Sequence, residues 1–114
     1  MRHAPAIDLA AQGGFQIDGV WRQGPVLILG DMVTSWSGEA SVAGLDAVFQ
    51  AGVQQCELLI LGLGLKWAPP SPALKAACRA ANLGLEALGT VEAVRLYNLL
   101  ARDGRYLAAA LNPI

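Results

Sequence analysis

Leu58-Leu59-Ile60-Leu61-Gly62-Leu63-Gly64-Leu65-Lys66-Trp67 is the stretch that decides how this chain reads. Four aliphatic residues run without a polar break into Gly62. A second run of the same kind, Val26-Leu27-Ile28-Leu29, closes on Gly30. A strand with one wet face alternates apolar and polar residues, whereas a strand covered on both faces reads as a continuous apolar run. Both runs are therefore expected to be central strands of a sheet flanked by helices. Between them Val42, Leu45, Val48 and Phe49 recur at helical spacing, with Gly52 as the stop.

Downstream, Ser71 is placed to cap a second helix with Pro72 in its first turn. Leu74, Ala77, Cys78 and Ala81 form its inner face, and Asn82 and Gly84 end it. A short strand, 85–89, follows. Thr90 is expected to cap a third helix running to about Arg102, stopped by Gly104, and 106–111 reads as a last strand weakened by its alanines. Upstream, Phe15–Arg22 alternates around Asp18-Gly19, a dipeptide suited to a two-residue hairpin turn. The expected architecture is a single three-layer α/β domain over 1–114. It has an N-terminal β-hairpin and a central mixed, mostly parallel sheet with helices on its faces and right-handed crossovers, and residues 1–12 are poorly ordered. Strand order cannot be read from the pattern.

Composition narrows the function classes. Of 114 residues, 54% are hydrophobic and only 15% charged, so much apolar surface must be hidden in a two-sided core or against a partner. Every apolar run is broken by Gly, Pro or charge before the ~18–20 residues of a membrane span. The N-terminus lacks a secretory apolar region, and Asp8 argues against a mitochondrial presequence, so a cytoplasmic protein is expected. Net charge is −1 with no block of Lys or Arg, which disfavours nucleic acid. Two cysteines, Cys56 and Cys78, and one histidine, His3, cannot make a four-ligand zinc site, and buried free thiols are expected. No cofactor and no catalytic set is expected, because neither a nucleophile elbow nor a carboxylate pair in an apolar pocket is evident.

Gly62-Leu63-Gly64 invites a nucleotide reading, but the chemistry is incomplete. Trp67 stands where a dinucleotide fingerprint needs its third glycine, and no Gly-Lys-Ser/Thr closes a phosphate loop. Position still matters, since ligands of open α/β sheets bind beyond the carboxyl ends of parallel strands. If both apolar strands are parallel, Asp31 and Trp36 after one and Gly62, Gly64, Lys66 and Trp67 after the other rim one crevice. On the third helix, Thr90, the helix-start amides, Arg95 and Asn98 offer a small-anion site.

The stretch from Leu85 to Ile114, with 58–74 and the N-terminal 13–29, resembles the domain of unknown function 498 family. Relatives in that family include NADH dehydrogenase (ubiquinone) complex I assembly factor 3 and the adipogenesis-associated domain-containing protein. The most specific resemblance is Thr90 followed by Arg95-Leu96-Tyr97-Asn98-x-Leu100, Asp103-Gly104-Arg105 and the alanine-rich ending at Pro113. Leu88, Val94 and Leu96 depart from the family's usual Met, Cys and Thr. The resemblance implies a compact three-layer α/β fold named after a methanogen protein, no assigned catalysis, and in eukaryotic relatives a protein-assembly role. The expected function is a non-enzymatic interaction or assembly-factor-like protein, linked to respiratory or other membrane-complex biogenesis. Its protein partner is unknown, and a homo-oligomer is compatible. The alternative is binding of a small anionic metabolite, or an enzyme acting on one, in the crevice of Gly62, Gly64, Thr90, Arg95 and Asn98.

Overall fold

The computed structural model describes residues 4–51 and 56–114, so His3 and the expected helix stop Gly52 lie outside the described residues. In chain order the elements are β1 (Ile7–Ala11), β2 (Gly14–Ile17), β3 (Val20–Gln23), β4 (Val26–Leu29), β5 (Met32–Ser35), α1 (Asp46–Ala51), β6 (Leu58–Leu63), α2 (Pro72–Ala80), β7 (Gly84–Leu88), α3 (Thr90–Arg102) and β8 (Leu107–Asn112). They form a mixed α/β domain with a three-stranded sheet, β1-β2-β3, and a five-stranded sheet, β5-β4-β8-β6-β7.

The five-stranded sheet is less parallel than expected. β6 pairs in parallel with β7 and β8, but β4 is antiparallel to both β5 and β8. The reason lies in the connections. Parallel neighbours need a crossover, which α2 and α3 supply, whereas the tight turn at Gly30-Asp31, with Gly30 at φ 65°, can only reverse the chain. That turn creates β5, an edge strand that local periodicity did not suggest.

Within the stretch expected to be poorly ordered, residues 7–11 form β1, which pairs antiparallel with β2. Its anchors come from α3, far away in sequence. Asn98 accepts from the Ile7 amide at 3.0 Å and donates to the Ile7 carbonyl at 2.9 Å, acting as a short substitute strand. One residue earlier, the buried Tyr97 hydroxyl donates to the Pro5 carbonyl at 2.8 Å. β2 and β3 pair with Ile17 opposite Val20, leaving Asp18 and Gly19 as the connection, both with positive φ.

Strand alternation sorts the core. On one face of the large sheet, Leu27, Leu59, Leu61, Ala108 and Ala110 meet Leu45 and Val48 near α1 and Leu74 and Cys78 from α2. On the other face, Ile28, Ile60, Ala109 and Leu111 meet Ala93 and Tyr97 of α3 and Phe15 and Ile17 of the small sheet. The alanines of β8, a poor choice on propensity alone, lie fully buried between β4 and β6, where packing overrides propensity. α2 begins as its residues dictate: the Ser71 hydroxyl accepts from the Leu74 amide at 3.1 Å and Pro72 opens the helix.

Asn98→Ala should lower stability by about 1–3 kcal/mol, because it leaves two backbone groups of Ile7 without their partner. Arg95→Ala, one turn earlier on an exposed position, should stay within about 0.5 kcal/mol. Urea denaturation of the two variants, with amide exchange at Ile7 as the local reporter, checks the contrast.

Candidate functional site

The end of β6 is a closed joint. A Cβ on Gly62 would sit 2.8 Å from a Leu111 methyl, 3.1 Å from Thr90 Oγ1 and 3.4 Å from the Ala93 Cβ, so glycine lets α3 settle directly on β6. Two residues on, Gly64 takes φ 77°, and its amide donates to Thr90 Oγ1 at 2.8 Å. That same hydroxyl donates to the Asn112 carbonyl at 2.6 Å, and the Thr90 amide donates back to the Gly64 carbonyl at 3.0 Å. The Thr90 side chain was expected to cap α3. Instead Gly89 holds the N-cap position, without a side-chain bond, and Thr90 is the first helical residue with its hydroxyl turned sideways to the strand ends.

The other expected site residues divide among separate places. Gly62, Gly64 and Thr90 are brought together, but as packing, with Thr90 0% exposed. Asn98 is committed to β1, and Arg95 is exposed on α3. Asp31 lies at the opposite end of the sheet, because β4 runs against β6: the Gly30 amide donates to Leu107, and Leu107 is level with Leu58 at the start of β6. Trp36 returns to the Gly62 end through β5, where its indole N–H donates to the Leu111 carbonyl at 3.3 Å. The single crevice that required parallel strands is therefore not formed. Lys66 and Trp67 remain together on the exposed loop after β6.

That loop borders two hollows. The larger, about 460 Å³, lies between α2 and β7. α2 contributes Lys75, Cys78 and Arg79, which fall on one helical stripe. Leu83, Leu85 and Ala87 form the other wall, and Trp67 and Pro70 close the end. Trp67 is fixed there by an indole N–H donated to the Ala87 carbonyl at 2.7 Å, while the ring stays 56% exposed. The smaller hollow, about 220 Å³, shares Pro70 and adds Lys66 beside Leu61 and Leu63.

The electrostatics of the larger groove are one-sided. Lys75 and Arg79 stand one turn apart on α2, and neither side chain has a hydrogen-bond or ion-pair partner among the described residues. Like charges at this spacing repel by a few tenths of a kcal/mol, and here they do so in a chain of net charge −1. The floor is neutral at Cys78, a free, buried thiol that burial holds above its ordinary value; Cys56, free and buried in the same core cluster but outside the groove lining, is pushed up to about 11. Such thiols behave as apolar groups rather than nucleophiles. Lys75, Arg79 and Leu85 were not anticipated as site residues. The i,i+4 cation pair was visible in the sequence, but its place beside a sheet edge depends on strand order.

The family described as protein of unknown function (DUF498/DUF598) matches residues 7–112. An uncharacterized protein of Rhodobacter capsulatus is 34% identical over 108 residues, spanning 95% of this chain and 84% of its own. A Rhodopseudomonas palustris protein solved by NMR superposes with a TM-score of 0.84 at 31% identity, covering 100% of this chain and 89% of its own. A Bartonella henselae protein described as an outer membrane protein superposes with a TM-score of 0.88, over 99% and 98% of the two chains; at 21% identity it shows the fold alone.

Thr90→Val keeps shape but removes the hydroxyl, leaving the Gly64 amide and Asn112 carbonyl unpaired. A loss of about 1–3 kcal/mol in denaturant unfolding is expected, and a neutral result would show that water replaces the bond. Raised thiol values at Cys56 and Cys78, and a Tyr97 phenol also raised by burial, mean that folding favours the neutral forms. Their contribution is full below the ordinary thiol value of 9.0 and is lost as pH climbs through about 11 at Cys56. Denaturation midpoints under reducing conditions should accordingly hold level up to pH 9 and fall by pH 11, whereas a level midpoint throughout would contradict the burial.

Proposed function

We propose a role from this chain's own geometry, because the chain belongs to the DUF498/DUF598 family of proteins of unknown function and no activity comes with that membership. The protein is a cytoplasmic, non-enzymatic interaction protein of the assembly-factor type. Its working surface is the α2–β7 groove together with the Trp67 loop. The observation that carries this reading is Trp67 itself. A large indole is costly to leave in water, yet here it is more than half exposed and held in one orientation by its bond to Ala87. A pre-oriented aromatic beside an apolar groove is a docking anchor, since its ordering entropy is spent before a partner arrives.

Two further features support the reading. Leu65, adjacent on the same loop, is 82% exposed and adds apolar area without contributing to the core. The sulfur in the groove floor belongs to a free, buried thiol that burial keeps neutral, so it offers apolar contact rather than a nucleophile. The link to respiratory or other membrane-complex biogenesis rests on the resemblance to assembly-factor relatives, and it specifies the kind of partner to look for.

Quantitative co-purification of the tagged protein, without crosslinker, tests this. Wild type should recover a reproducible partner, and Trp67→Ala should reduce it at least tenfold, the effect of an anchor worth ~2 kcal/mol or more. Leu9→Ala, on the outer face of the small sheet, should leave recovery unchanged. A monomer without reproducible partner, or recovery indifferent to Trp67→Ala, overturns the proposal.

A further inference from the structure

We infer that the α2–β7 groove receives an extended peptide segment carrying two acidic side chains separated by one residue. This deepens the docking reading above and rests on it.

The backbone comes first. β7 is the outer strand of its sheet, with β6 its neighbour on the inner side. The Gly84 amide donates inward to Glu57, so by strand alternation residues 84, 86 and 88 pair with β6 while Leu85 and Ala87 direct their backbone groups outward. Trp67 occupies the Ala87 carbonyl and closes that end of the edge. On that side β7 has no partner strand among the described residues, so the amide and carbonyl of Leu85 are directed to the open edge beside the groove, the arrangement that an added strand uses.

The side chains then select what is added. A segment laid along β7 turns alternate side chains toward α2, on the same face as Leu85 and Ala87, which line the groove. Those side chains recur every ~6.6–6.8 Å. Lys75 and Arg79 present two charges one helical turn apart, roughly 5.4–6 Å. The spacings match closely enough for long, flexible cationic side chains to meet a carboxylate at each of two alternate positions. Cys78, Leu83 and Leu85 supply a neutral apolar floor for a neighbouring leucine or valine. Two cations are too few for a nucleic-acid backbone or an anionic membrane, which call for a broad basic surface. A free small anion would meet the charges but leave the Leu85 edge and the apolar floor uncovered.

The probe is an acetylated, amidated heptapeptide in which threonine alternates with leucine, glutamate, glutamate and leucine, so that all four non-threonine side chains share one face. Calorimetry and amide chemical shifts of the full chain should give saturable binding that shifts Leu85. Affinity should fall at least about tenfold when both glutamates are replaced by glutamine, and again when the peptide meets the Lys75→Glu/Arg79→Glu variant, whose exposed positions leave the fold intact. Equal binding of the glutamine peptide, unchanged affinity in the charge-reversed variant, or no binding at millimolar peptide overturns the inference. So does an identical Leu85 shift with inorganic phosphate, which would make the site one for small anions, or a Leu85 shift that tracks protein concentration alone, which would make it a self-association surface. If co-purification depends on Trp67 but the acidic peptide does not bind, this inference falls and the docking reading stands. If the peptide binds while co-purification ignores Trp67, the docking reading falls instead.

Discussion

The Thr90 hydroxyl is the constraint on which the arrangement turns. It accepts from Gly64 at the end of β6 and donates to Asn112 at the end of β8, while its own amide returns a bond to Gly64. One buried residue thereby ties two parallel strand ends to the start of α3. A hydroxyl has one proton to give, and here it is given to a backbone carbonyl inside the protein. The absence of a side chain at Gly62 is what lets the helix come close enough for this to happen.

The joint also sets the direction of the loop that follows. With Gly64 held in the left-handed region and bonded on both its amide and carbonyl, the chain leaves the sheet sharply and carries Leu65, Lys66 and Trp67 outward. Trp67 then reaches the edge strand and bonds Ala87. The groove between α2 and β7 thus owes its closed end to a bond network on the far side of β6. Packing and proposed docking surface are consecutive parts of one connection.

Much of the fold was legible in local sequence because local chemistry decided it. The apolar runs at 26–29 and 58–61, the Ser71-Pro72 helix start and the Asp18-Gly19 connection are matters of burial, capping and positive φ. What stayed hidden depended on distant partners. The start of β1, which pairs locally with β2, is tied down by Asn98, 91 residues from Ile7, and β4 runs against β6 because of a turn whose outcome no hydrophobic pattern encodes. The site divides in the same way. Trp67 was recognisable as a large aromatic just after a strand, whereas Lys75 and Arg79 gain significance only once β7 is known to be an edge. The Thr90 hydroxyl, expected to cap α3, instead bonds the ends of β6 and β8. Val94 packs against the core as an apolar residue should, so this face of α3 is built for packing.

Hydrogen exchange at the Gly64 amide tests the central claim most directly. If the end of β6 is a closed joint, that amide exchanges as slowly as those of the core strand, through large-scale opening, and phosphate in the buffer leaves its rate and chemical shift unchanged. Exchange at the rate of an open loop, or a saturable response to phosphate, would contradict the account and return the glycines after β6 to the role of an anion cradle.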